Sequence, residues 1–498
     1  MFYTSTRDNK VHVTSAQAIT RGISADGGLF VPESIPKISL EDLQELSGMD
    51  YIERAKAILS LYLTDFTPDE ISSAVIGAYS GGKFSDEKIA PLVELYKGVD
   101  ILELWKGPTC AFKDMALQLL PQLLTISAKK AAPDKKIVIL VATSGDTGKA
   151  ALEGFKDVPG TKILVFYPND GVSPMQKLQM TTQEGENVSV CAIEGNFDDA
   201  QNGVKAIFTD EAVAARLEEQ EMMFSSANSI NWGRLVPQIV YYISAYCGMT
   251  AKGTIQLGDK INIVVPTGNF GNILAAYYAM EMGLPVHKLI CASNANDVLT
   301  EFLKTGRYNR NRSFFTTASP SMDILISSNL ERLLYSLSGN DAEVVKKLMA
   351  DLRETGIYDI SNLMLNKIKK LFAAGCCNDA GTKVTIAETF KNRSYLCDTH
   401  TAVAVHVYER YRAETGDGSP AVIASTASPF KFCASVLSAL KPGEAQGTDE
   451  FAMLDELAAL TGAVCPSQLS DLKDLPVRFN GFCTRDSMEG VVLEMLDL

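Results

Sequence analysis

The sequence predicts an α/β chain built on parallel β-sheet, and three observations carry that prediction. Short apolar runs without polar alternation recur from residue 136 onward, as strands buried on both faces require. Helical periodicity follows each run, which is the pattern of βαβ units. Loops rich in glycine and hydroxyl residues close the runs, at the carboxyl ends where open parallel sheets bind ligands.

Composition bounds what such a chain does. Its 498 residues are 46% hydrophobic and 21% charged, enough for two or three domains with ample core. A net charge of −14 argues against nucleic-acid or anionic-membrane partners, since both need a basic footprint. No apolar run approaches the length of a membrane span, and the start, MFYTSTRDNKVHV, has no apolar signal core. The 10 cysteines include no CxxC spacing, which suits a reducing cytoplasm. The 4 histidines, His12, His287, His400 and His406, form no HExxH motif, so no metal is expected.

In chain order, GISADGGLFVP (22–32) is a turn-rich opening and residues 40–63 show helical periodicity. Four strand runs follow, KIVILVAT (136–143), TKILVFYP (161–168), NVSVCAIE (187–194) and MMFSSAN (222–228), separated by helices at 147–155, 173–182 and about 197–218. After a helix at 235–248 come the strand KINIVVPT (260–267), the helix 272–283, the strand HKLICASN (287–294) and the helix 298–306. Residues 306–328 read as an irregular insertion over the surface or a cleft. Helices dominate 329–415, AVIASTAS (421–428) is a late strand, and the tail from 449 is mixed. The predicted division is 1–95 as a leading module, 136–235 as a smaller βαβ domain, and 96–135 with 236–498 as a larger domain.

Lys113, in GPTCAFKDMALQLL, is placed where a structural lysine fits poorly. It opens an apolar helix after a Gly-Pro break. The partial positive charge of a helix start and the neighbours Cys110, Ala111, Phe112, Met115 and Ala116 all favour a neutral amine. Schiff-base chemistry needs that form. The alternative is a lysine whose stem reaches solvent.

Four loops can surround such a lysine. ATSGDTGKA (142–150) offers Thr143, Ser144, Gly145, Asp146 and Thr147 at a helix start suited to a carboxylate or phosphate, with helix capping as the equal reading. PTGNFGN (266–272) presents Gly268, Asn269, Phe270, Gly271 and Asn272, whose successive N–H groups can cradle a phosphate without a basic side chain. It lacks the third glycine and ribose-binding acid of a dinucleotide loop and the lysine of a P-loop. SSANSINWGR (225–234) supplies Asn228, Ser229, Asn231 and the guanidinium fork of Arg234, although Asn and Ser can equally cap and Arg234 lie on the surface. ASTASPFKF (424–432) puts Ser425 and Thr426 at a strand end, to meet a neutral ring nitrogen or to cap a helix.

GPTCAFKD, ATSGDTG, NSINWGR, PTGNFGN and ASTAS, in that order, with leading STR and DGGLFVP elements, resemble threonine synthases of the longer branch over nearly the whole chain. The resemblance implies the tryptophan-synthase β-like fold (fold type II), with two parallel-sheet domains around a cleft and a leading N-terminal domain. It implies a lyase of threonine biosynthesis that uses pyridoxal 5′-phosphate to convert O-phospho-L-homoserine and water to L-threonine and phosphate. The expected assembly is a monomer or homodimer, with the monomer favoured.

By the same resemblance, Lys113 would carry the cofactor as a Schiff base and residues 268–272 would bind its phosphate. Thr426 would face the pyridine nitrogen, and Asp146 would lie beside the 3-hydroxyl, where related enzymes often have Asn. Thr143, Ser144 and Thr147 would hold the substrate α-carboxylate. Ser229 and Arg234, with Asn228 and Asn231 nearby, would hold its phosphate, and Lys177 is a further basic candidate, with a lysine on a solvated helix face as the leading alternative. One departure is visible: the family commonly has His-Pro-Ala after STA, and this chain has Ser428-Pro429-Phe430. A serine or threonine dehydratase, or another β-replacing enzyme of the fold, would keep Lys113 and the cofactor loop without needing Arg234. A noncatalytic metabolite-binding relative is the other alternative.

Overall fold

The computed structural model describes residues 1–170, 172–444, 447 and 449–498, with Asp198 described by its backbone alone. The leading module pairs β1 (Tyr3–Ser5) antiparallel with both β2 (Asp8–Val13) and β3 (Phe30–Pro32), with α1 (Ser15–Arg21) between the last two in sequence. The periodic stretch at 40–63 is two helices, α2 (Leu40–Ser47) and α3 (Tyr51–Tyr62). Asp50 breaks the stretch by accepting the Glu53 N–H and capping α3. Helix α4 (Pro68–Tyr79) completes the module.

A hairpin of β4 (Leu92–Tyr96) and β5 (Val99–Glu103) then enters the larger sheet, followed by α5 (Asp114–Leu117) and α6 (Leu120–Ala131). The four predicted runs are β6 (Lys136–Ala142), β7 (Thr161–Pro168), β8 (Val188–Ile193) and β9 (Met222–Ser225). Between them lie α7 (Asp146–Phe155), α8 (Pro174–Thr181), α9 (Phe197–Thr209) and α10 (Glu211–Glu219). The single helix expected at 197–218 is two, because Asp210 accepts the N–H groups of Ala212 and Val213 and starts a new one.

The larger unit resumes with α11 (Trp232–Ala251), β10 (Ile261–Pro266), α12 (Gly271–Met282), β11 (Val286–Ser293) and α13 (Val298–Thr305). Within the expected irregular insertion, β12 (Arg307–Asn309) forms a strand and Pro320–Met322 a 3₁₀ turn. After α14 (Leu330–Leu337) and α15 (Ala342–Glu354), β13 (Ile357–Asp359) pairs antiparallel with β12, and Tyr308 stacks on Tyr358 at 5.1 Å. Next come α16 (Asn362–Leu371), β14 (Phe372–Cys376), α17 (Asp379–Arg393), α18 (Thr399–Thr415) and β15 (Ala421–Ser425). The tail adds α19 (Cys433–Leu440), α20 (Glu450–Thr461), α21 (Ser467–Ser470), β16 (Gly481–Cys483) and α22 (Met488–Leu496).

Two sheets result. The larger has the order β14-β11-β10-β15-β5-β4, parallel except for the edge hairpin strand β4. The smaller is wholly parallel, in the order β16-β8-β7-β6-β9. Two expected boundaries need correction. Leu92–Tyr96 belongs to the larger sheet, although 1–95 was expected to be the leading module, because β4 pairs with β5 rather than with β1–β3. The end of the 236–498 block crosses to the smaller sheet, where β16 pairs with β8 and Met488 and Val492 pack in the core beside Val204 and Ile207 of α9.

The leading module is pinned to the larger unit by aromatic packing. Trp232, fully buried at the start of α11, has the Tyr3, Tyr62 and Tyr278 rings at 5.3, 5.6 and 5.7 Å. Helix α7 meets α5 just as closely. A Cβ added at Gly154 would stand 2.0 Å from the Leu117 carbonyl oxygen. Gly154→Ala is therefore expected to destabilise the fold by about 1–3 kcal/mol, read as a lower midpoint of urea unfolding. An unchanged midpoint would mean that the two helices part at no cost. Among the described residues, no helix is long and apolar enough to cross a membrane.

Candidate active site

Lys113 precedes the single turn α5, and its segment is tied to the strand end after β15. The Phe112 N–H donates to the Thr426 carbonyl at 2.8 Å and the Ser428 N–H to the Cys110 carbonyl at 3.0 Å, with a bridge between Ala111 and Ala427. Cys110 takes a left-handed backbone (φ 58°) to make the turn. Asp114 is buried and accepts from the Thr109 N–H and hydroxyl at 2.8 and 2.7 Å, and burial pushes its carboxyl up to about 6. These ties bring Thr426 alongside Lys113.

The Lys113 side chain is only 13% exposed, and its Nζ stands 3.7 Å from Asp146 Oδ2 at the start of α7. Burial lowers its amine below the ordinary lysine range. Asp146 opposes that shift, whereas the Lys431 and Arg234 cations add to it. Burial alone would raise the Asp146 carboxyl, but Lys431 and then Lys113 outweigh it and hold the group well below the usual carboxylate range. The two partners thus shift in senses that a simple Lys113–Asp146 pair would not produce. Distance explains it: Lys431 Nζ lies 2.7 Å from Asp146 Oδ1, so Lys431 carries the carboxylate's ionisation. The Lys431 side chain is fully buried and also donates to the Thr109 carbonyl at 2.9 Å, while Gln176 Nε2 donates to Asp146 Oδ1 at 3.0 Å.

A second locus lies at the carboxyl end of β10. Phe270 adopts a left-handed backbone (φ 65°) and α12 starts with no side-chain cap, which leaves the helix-opening N–H groups without a side-chain acceptor. The Asn272 carbonyl oxygen accepts from Tyr241 and Tyr242 at 2.7 and 2.5 Å, which fixes the amide so that its buried Nδ2 has no partner among the described residues. An uncapped helix start with an unpaired amide donor fits a phosphate. The turn is braced from behind. Ser327 Oγ donates to the Gly268 carbonyl at 2.8 Å, the Asn329 N–H donates to the Asn269 carbonyl at 3.1 Å, and a Cβ at Gly268 would stand 2.6 Å from the Ser321 carbonyl oxygen. The Thr426 hydroxyl makes no hydrogen bond among the described residues, whereas Ser425 accepts from Trp105 and Thr401, both at 3.0 Å, and is structural.

The expected substrate residues divide. Arg234 is buried rather than on the surface: its Nη1 donates to the Ala227 carbonyl at 2.6 Å, its Nε has no partner among the described residues, and burial lowers it to about 10. It remains a cation at neutral pH. Ser229 accepts from Asn329 Nδ2 at 3.3 Å, and Asn228 is half-buried beside it in sequence. Asn231 is corrected: its Oδ1 caps α11 and its Nδ2 donates to the Ile19 and Ser226 carbonyls, so its amide is committed to the backbone. Thr143 is corrected likewise, because its hydroxyl accepts from the Gly145 and Gly148 N–H groups and shapes the loop. Ser144 is exposed, Thr147 is half-buried, and Lys177 donates to Asn169 Oδ1 at 2.9 Å.

Sequence reasoning missed Lys431, Gln176, Asn329 and Arg332. Arg332 Nη1 donates to Asn329 Oδ1 at 2.5 Å, which turns the Asn329 amide nitrogen toward Ser229. A lysine inside the apolar run SPFKFC, directly after a buried strand, was the available signal for Lys431.

A buried amine before a helix turn, an uncapped glycine-flanked turn after β10 and an unbonded hydroxyl after β15 are the groups that a pyridoxal-phosphate-dependent enzyme needs around its cofactor. The chain belongs to that family, whose model, described as pyridoxal-phosphate dependent enzyme, matches residues 102–427. Models described as threonine synthase N terminus and threonine synthase, C-terminal match residues 2–79 and 401–486. Within the class, the chain is therefore a member of the threonine synthase family.

It is 41% identical over 443 residues to threonine synthase-like 1 of Homo sapiens, covering 87% of this chain and 59% of that one. The chain thus spans about three-fifths of the length of those relatives. To threonine synthase of Pseudomonas aeruginosa it is 38% identical over 436 residues, covering 87% of this chain and 89% of that one. The crystal structure of pyridoxal-phosphate-bound threonine synthase from Brucella melitensis matches with a TM-score of 0.87 at 36% identity, covering 99% of each chain. The fold is the expected tryptophan-synthase β-like one, and the cofactor is pyridoxal 5′-phosphate.

Proposed function

We propose that this chain converts O-phospho-L-homoserine and water to L-threonine and inorganic phosphate. The observation that carries the reading is Arg234: a buried guanidinium with an unpartnered Nε, close enough to Lys113 to depress it, and additional to the uncapped phosphate turn at 268–272. One anion site suffices for the cofactor. A second suits a substrate that carries its own phosphate.

When bound, pyridoxal phosphate supplies a conjugated electron sink for charge released at the substrate α carbon. Lys113 would hold it, with the N–H groups around Phe270, Gly271 and Asn272 on its phosphate, the Thr426 hydroxyl on its ring nitrogen and Asp146 beside its 3-hydroxyl. Lys113, depressed by burial, removes the α proton and moves protons at the β carbon. Arg234 and Ser229, with Asn228 nearby, hold the phosphate that leaves from the γ carbon. The 143–147 loop offers the N–H groups of the α7 start to the α-carboxylate. Ten free cysteines, most of them buried, support a reducing compartment, the cytoplasm.

A coupled assay for threonine and phosphate tests the reading. Both products are expected from O-phospho-L-homoserine, and conversion of serine or threonine to oxo acids in their place would make the chain a dehydratase. Arg234→Gln is expected to lower kcat/KM for the phosphorylated substrate about 10–100-fold, the loss of one or two charge-assisted hydrogen bonds. Cofactor loading should be unchanged. Full efficiency in that variant would remove Arg234 from the substrate site.

A further inference from the structure

We propose that Lys431 is a positioning residue, which occupies Asp146 from the larger sheet's side and thereby keeps that carboxylate from closing on Lys113. The inference rests on Lys113 being the cofactor lysine and is independent of which substrate is turned over.

Three observations support it. Lys431 follows β15 of the larger sheet, whereas Asp146 follows β6 of the smaller one, so their 2.7 Å ion pair joins the two sheet units. The Lys431 ammonium has no exposure, and its second partner, the Thr109 carbonyl at 2.9 Å, belongs to the Lys113 segment. Lys431 and Gln176 both address Asp146 Oδ1, and Lys113 is left with Oδ2 at 3.7 Å, beyond hydrogen-bond length. Gln176 holds this place because Gly145 lacks a side chain: a Cβ there would stand 2.4 Å from Gln176 Nε2.

The charges facing Lys113 are Asp146 from α7, Lys431 from the turn after β15 and Arg234 from α11. Asp114, on its own helix, accepts from Thr109 instead. Without Lys431, the one carboxylate in this group would turn to Lys113 and retain its proton. A buried lysine beside a catalytic lysine is otherwise hard to reconcile with the desolvation it suffers. As the competitor for Asp146, it has a function.

The test follows covalent capture of pyridoxal 5′-phosphate by visible absorbance, using full-length protein freed of cofactor, across a pH series and without substrate. Lys431→Met is expected to move the midpoint of the capture-rate profile up by about one pH unit, about tenfold slower capture on the acid side. Asp146→Asn is expected to move it down. A role confined to stability would move neither, so coincident profiles in folded variants overturn the proposal. If Lys431→Met does not fold, Asp146→Asn decides alone, and a midpoint at or above that of the wild type overturns it. Lys113→Ala, run alongside, should capture nothing. Specific capture by that variant would reject the site assignment, and with it the premise of the proposal.

Discussion

Lys113→Ala is expected to abolish threonine and phosphate production, with turnover falling by at least about 10³-fold, since in the proposed function one amine supplies both the covalent hold on the cofactor and the proton-transfer group. Borohydride treatment of the wild-type protein should fix the cofactor to the peptide containing residue 113, and the variant should leave that peptide unmodified. The fold should survive the change. Lys113 donates no hydrogen bond to the backbone frame, its nearest carboxylate already has Lys431 at 2.7 Å, and its side chain is removed from a site that is 13% exposed. Undiminished turnover in a folded Lys113→Ala protein would reject the catalytic reading, and labelling at Lys431 would name the other amine of the site.

Arg332→Met should have the largest effect on stability. The guanidinium is fully buried and donates from Nε to the Phe30 carbonyl at 3.0 Å, from Nη1 to Asn329 Oδ1 at 2.5 Å and from Nη2 to the Ile230 carbonyl at 2.6 Å. It thus joins the leading module, the segment before α11 and the brace behind the turn at 268–272. Burial lowers it to about 10, which leaves it charged at neutral pH. Methionine fills much of the volume but strands two buried acceptors, at about 1–3 kcal/mol each, and frees a third, the half-buried Ile230 carbonyl. A loss of at least about 3 kcal/mol is expected in urea unfolding. The substrate site should suffer too, because a released Asn329 amide no longer keeps its nitrogen toward Ser229, and KM should rise. Arg332→Lys should rescue little, since one ammonium cannot span a three-way fork. A wild-type unfolding midpoint in Arg332→Met would refute this account of how the module is held.

The strands β6, β7, β8, β10 and β11 were legible because each is a continuous apolar run covered on both faces, and such runs stand out between helical periodicities. Strand β14 was not. Its residues, FAAGC, lack β-branched side chains and directly follow α16, so they read as more helix; their strand form depends on pairing with β11. Likewise β16 is three residues in a mixed tail, and only its pairing with β8 makes it part of the smaller sheet.

The site divides along the same line. Motif order singled out Lys113, the turn at 266–272 and Thr426 as candidates, because each is a feature of its own stretch: an amine before a helix, successive N–H groups, a hydroxyl at a strand end. Asn231 and Thr143 misled for the converse reason, since a polar side chain at a helix start serves a ligand or the backbone equally well until its neighbours are known. Local order in the chain thus marked the candidate amine. Folding decided the direction in which its basicity is pushed, because Asp146, Lys431 and Arg234 come from separate segments, and the energy between ionised groups depends on distance and burial. Neither quantity is written in the order of the residues.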